Sequence, residues 1–188
     1  MKRTGKSGWL RRVSALLLLL ALAFSGCAAP AEKTQAEKTA AYLMDTVTEP
    51  SCGSVGGEWA VIGLARAGCA VKDGYFEGYY DRLCETLRAC GGVLDARKNT
   101  EYSRVILALT AIGKDPSDVA GYDLLLPLAD HEQTLWQGLN GPIWALIALD
   151  AGAYAIPQTV SGTQASRARY VQTILDAQTE NVTASPLC

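Results

Sequence analysis

The residues able to do chemistry are few, and they stand apart from one another. The single histidine, His131, lies in a polar His-Glu-Gln run with no cysteine or second histidine at metal-ligand spacing, so it reads as a solvated surface residue. Asp115 and Asp118 flank Pro116 and Ser117. Carboxylates so placed cap a turn, because their oxygens accept from backbone amides two or three residues on. Ser103, Ser117 and Ser161 fall in no Gly-x-Ser-x-Gly elbow. Gly56-Gly57 lacks the lysine and the preceding strand that make a glycine pair a phosphate loop. No residue is nominated as catalytic or as a metal ligand, and no cofactor is implied.

The cysteines say more about compartment than about catalysis. No Cys-x-x-Cys occurs, and Cys84 and Cys90 sit six apart in a helical pattern, on different faces. Beyond Cys27 there remain Cys52, Cys69, Cys84, Cys90 and Cys188, an odd set, most of which read as small buried residues.

Cys27 itself follows a leader. Lys2, Arg3, Lys6, Arg11 and Arg12 precede Val13–Phe24, an apolar run of 12 residues. That run is too short for a membrane span of roughly 20 residues and has the form of a secretion signal. Phe24-Ser25-Gly26-Cys27 resembles the lipobox of bacterial lipoproteins. The resemblance implies a signal peptide over 1–26, a lipid on the Cys27 sulfur, and a location on the outer face of a bacterial cell membrane. Without the leader the formal charge moves from −2 to −7, since all five charged residues removed are basic. Such an acidic chain is a poor nucleic-acid partner.

Residues 27–38 read as a tether, and periodicity from Thr39 onward predicts helices throughout. They are expected from Thr39 to the Glu49-Pro50 boundary, over Glu58–Ala67, over Tyr75–Ala89, and over Thr100–Ile112 with Thr100 as N-cap. A fifth, kinked at Pro127, is expected over Tyr122–Leu135, and a last over Ser166–Thr179. The centre is the stretch Thr134–Pro157, read as one buried helix with Pro142 at its first position and Gly152 at its end. No strand is expected. Three helices also align: WAVIGLARAG ends at Gly68, RVILALTAIG at Gly113 and IWALIALDAG at Gly152, giving spacings of 45 and 39. One helical hairpin fills each period, so stability comes from stacking neighbours.

Tyr42-Leu43 followed by Gly56-Gly57-Glu58-Trp59, together with Tyr170, Ile174-Leu175 and Gln178, resembles the repeat signature of the terpenoid cyclase and protein prenyltransferase α/α toroids. The segment WQGLNGPIWALIALDAG is similar to the matching part of secreted bacterial members. The resemblance implies an all-α fold of stacked hairpins, a partial α/α toroid over 39–180, with 181–188 as an irregular tail. A closed toroid takes six hairpins and this chain supplies about three and a half. A truncated or frame-shifted toroid is therefore expected, or one completed by a second domain or protomer over its open edge.

The Asp-x-Asp-Asp acid run of the cyclases is missing, and so is the Asp, Cys and His zinc set of the prenyltransferases. A non-catalytic ligand-binding or interaction module is the expected function, with a fragment of a cyclase-like enzyme as the alternative. The ligand would be small and apolar. A corrinoid is the further alternative, through likeness to transcobalamin-type carriers. Trp136, Gln137, Asn140, Trp144 and Tyr154, clustered around the central helix, are the candidate ligand-binding residues.

Overall fold

The computed structural model describes residues 33–184, so the leader, Cys27 and Cys188 lie outside the described residues. The chain divides into Met1–Gln35 and Ala36–Cys188; apart from Gln35, the first residue of the first helix, the elements below lie in the second of these units. They are α1 (Gln35–Thr46), α2 (Gly57–Arg66), α3 (Tyr75–Ala89), α4 (Asn99–Ala111), α5 (His131–Thr134), α6 (Asn140–Ala151) and α7 (Arg167–Ala184). Short 3-10 turns at Leu126–Ala129 and Leu135–Gln137 flank α5. The fold is all-α. Among the described residues the only strand-like pairings are isolated bridges, Val119 with Tyr122 and Asp130 with Gln164.

The three helices of the sequence repeat, α2, α4 and α6, form a row in which α4 packs between the other two. α4 is the most enclosed, with Val105, Ile106, Ala108 and Leu109 fully buried. From α3, Tyr79, Leu83 and Leu87 enter the same core at a spacing of four, one apolar stripe on a helix whose other side carries Asp81, Glu85 and Arg88. Gly68 and Gly113 leave α2 and α4 in the left-handed region, at φ 62° and 72°. Gly152 differs: its φ is −121°, and Ala153 takes the left-handed turn instead. A Cβ at Gly152 would stand 2.3 Å from the Tyr154 ring, so that side chain would have to shift to admit one.

Three expectations are corrected. Tyr122–Leu135 is not one kinked helix. Pro127 has no N–H to give a helical ladder, and Asp130 caps α5 by accepting from the Glu132 and Gln133 amides. The segment breaks into two 3-10 turns and one helical turn. Thr100 is not the N-cap of α4, since the helix starts at Asn99. α6 starts at Asn140, so Pro142 is its third residue, and the helix is buried on one side only: Ile143 is 37% and Ile147 44% exposed.

Polar contacts hold the irregular segment in place. Asn99 donates through Nδ2 to the Pro127 carbonyl at 2.8 Å and to Thr134 Oγ1 at 3.0 Å. The Thr134 hydroxyl donates to the Asp130 carbonyl. From α7, the buried Tyr170 hydroxyl donates to the Leu128 carbonyl at 2.7 Å and lies 3.1 Å from Thr134 Oγ1. Asn99, Thr134 and Tyr170 thus find partners for their buried polar groups, and the segment delivers Gln137 and Asn140 to the start of α6.

Candidate functional site

The amino ends of α2, α4 and α6 come together around a cleft of about 200 Å³, lined by Trp59, Thr100, Arg104, Gln137, Asn140 and Trp144. Because all three helices start at this end, their backbone N–H groups point toward it. The rings of Trp59 and Trp144 meet across the row, centroids 5.6 Å apart and tilted by 59°. Trp59 remains 50% exposed.

Arg104 is held from two sides. Its Nε donates to Oε2 of the buried Glu58 at 3.2 Å, and its terminal nitrogens both engage the Glu101 carboxylate one helical turn earlier. The other Glu58 oxygen accepts from the Gly53 amide at 2.8 Å. Burial is the largest single effect on the Arg104 pKa and lowers it, but Glu58 and then Glu101 together outweigh it and raise the pKa above its ordinary value. Gln137 turns its Oε1 to the Thr100 amide at 3.1 Å, which supplies a partner for an amide in the first turn of α4. Behind the cleft, burial, followed by the Glu58 charge, pushes the Cys52 thiol up to about 12. The fully buried Tyr79 hydroxyl, whose pKa is raised by burial and then by Glu58, has no hydrogen-bond partner.

Of the five residues nominated from sequence, Gln137, Asn140 and Trp144 line this cleft. Trp136 does not; it is exposed, with the Arg97 guanidinium 4.9 Å above its ring. Tyr154 lies at the opposite end of the row, in a wider hollow of about 650 Å³ with Thr110, Lys114, Asp115 and Asp123. The polar groups of that hollow are engaged nearby. Tyr154 and Thr110 share a hydrogen bond; Asp115 accepts from both the amide and the hydroxyl of Ser117; Asp123 accepts from the Leu125 amide. Asp115 is thus the turn cap expected of it, as is Asp118, which accepts from the Gly121 amide.

No protein-family model, curated protein or solved structure matches the chain.

Sequence reasoning missed Trp59, Thr100 and Arg104 as cleft residues. A signal was present: counted back from Gly68 and Gly113, Trp59 and Arg104 occupy the same register, and equal register on neighbouring parallel helices puts side chains at one level. His131 is also corrected. It is buried, its ring is stacked on Tyr170 with centroids 5.4 Å apart, and its Nε2 lies 3.1 Å from Thr173 Oγ1. Cys52, Cys69, Cys84 and Cys90 are free thiols, and only Cys84 of these is buried. Among the described residues, no group of three or more His, Cys, Asp or Glu side chains gathers in a metal-binding arrangement.

Proposed function

We propose that the chain is an exported module, lipid-anchored through Cys27 on the outer face of a bacterial cell membrane, that binds a small ligand without catalysis. In this reading its hairpins are repeats of an α/α toroid, with α2, α4 and α6 on the inner side. The observation that carries it is the tryptophan pair that shares a cleft with Arg104 at the common amino end of the row. Half-exposed aromatic faces beside a few convergent polar groups are what a small-molecule site needs. Glu58 and Glu101 are both committed to Arg104, so neither is free to act as a general acid. Ile143 and Ile147 on α6, with Val171 on α7, remain exposed, which supports a further hairpin, domain or protomer over this edge.

The test is ligand-observed saturation-transfer NMR on the full chain with cyclohexanol and with cyanocobalamin, repeated on a Trp59→Ala/Trp144→Ala double variant. Saturation transfer to cyclohexanol that is lost in the variant supports the cleft. Transfer to cyanocobalamin lost in the same way supports the corrinoid form of the reading. Transfer to neither compound overturns the apolar and corrinoid forms of the reading, and transfer unchanged in the variant overturns this cleft as the site.

A further inference from the structure

The cleft contains strong charges that offset one another. Arg104 contributes one positive charge, and each helix amino end adds roughly half of one. Against these stand Glu58 and Glu101, in the first turns of α2 and α4. The balance is within about one charge of zero, so neither an anion nor a cation finds a large uncompensated partner. An anion would compete with two carboxylates already seated on the guanidinium, and a cation would meet that guanidinium at the cleft wall.

What the cleft does offer is apolar ring faces beside neutral hydrogen-bonding groups. Trp59 and Trp144 supply the faces. The Asn140 amide, the Thr100 hydroxyl and the Gln137 Nε2 supply donors and acceptors, since Gln137 uses only its Oε1 on the backbone. The volume of about 200 Å³ falls below the usual range for a drug-sized ligand and suits one ring with its substituents. A pyranose has this pattern: axial C–H bonds form an apolar face that packs on an indole, while the equatorial hydroxyls around the rim both donate and accept.

We infer that the Trp59–Trp144 cleft binds a neutral pyranose ring, the terminal unit of a glycan, with the indoles against its C–H face and Asn140, Thr100 and Gln137 on its hydroxyls. The inference rests on the reading of this cleft as the binding site and names the ligand class.

The test is saturation-transfer NMR on the full chain with methyl α-D-glucopyranoside, N-acetylglucosamine, cyclohexanol, tetramethylammonium and acetate as separate probes. At least one pyranose is expected to receive saturation chiefly at ring C–H protons. Its affinity should fall about tenfold or more in Trp59→Ala and be weakened in Asn140→Ala, whose side chain is exposed at the start of α6 and outside the core. Tyr154→Phe, at the far end of the row, should leave it unchanged. If cyclohexanol, tetramethylammonium or acetate binds in a Trp59-dependent way and no pyranose does, the glycan inference falls and the cleft stands. If none of the five probes binds, both fall.

Discussion

The carbonyl oxygen of Thr134 approaches Gly141 so closely that a Cβ on Gly141 would stand 1.7 Å from it. No side chain fits there, and the atom in the way is backbone, which cannot rotate aside. The contact sets the angle at which α6 leaves the preceding turn, and with it the positions of Asn140 and Trp144.

Replacing Gly141 by alanine is therefore expected to destabilise the fold by about 2 kcal/mol or more. Chemical denaturation of the variant checks this. Unchanged stability would mean that the α5–α6 junction shifts freely.

Two buried tyrosines should respond oppositely to loss of their hydroxyls. Tyr170→Phe removes the hydrogen bond to the Leu128 carbonyl and should cost about 1–3 kcal/mol. Tyr79→Phe removes a hydroxyl without a partner and should be neutral or stabilising by about 1 kcal/mol. Thermal melts of the two variants side by side give the contrast.

His131 makes stability depend on pH. The Thr173 hydroxyl donates to the Arg169 carbonyl, so it accepts from His131 Nε2–H. Burial, then the Arg169 charge, holds the imidazole below its ordinary value of 6.5, while Glu132 and Asp130 act in the other direction. As pH falls, the unfolded chain takes up this proton first. The contribution is complete above about 6.5 and is lost as pH drops through the lower folded value. Denaturation midpoints of the native chain should fall more between about pH 7.5 and pH 5 than those of His131→Gln.

Cys52 should be the slow thiol. With its pKa pushed up to about 12, almost no thiolate exists near pH 8, whereas Cys90 is exposed. Iodoacetamide is expected to label Cys90 well before Cys52. Removing one cause of the shift by Glu58→Gln should speed Cys52 labelling, as peptide mass spectrometry would read out.

The helices with clear periodicity were legible in the sequence, and Tyr75–Ala89 falls on the residues expected of it. Its stripe of Tyr79, Leu83 and Leu87 and the polar residues opposite leave no other way to bury it. Tyr122–Leu135 was misread because its order comes from Asn99 and Tyr170, residues distant in the chain, and local periodicity carries no trace of such partners. For the same reason His131 passed as a surface residue: the ring that covers it is on α7. The cleft was half legible. Gln137, Asn140 and Trp144 lie close in sequence, but Trp59 and Arg104 reach them only because parallel helices stack in register.

That stacking also sets how the molecule assembles. Neighbours in the row are separated by 45 and 39 residues of chain, so each contact closes a long loop before it is rewarded. Closure entropy grows only with the logarithm of loop length, and the two loops differ by about 0.1 kcal/mol. Chain connectivity thus gives neither neighbour of α4 a head start. Side-chain packing against α4 decides which one docks first, and the cleft exists only once both have arrived.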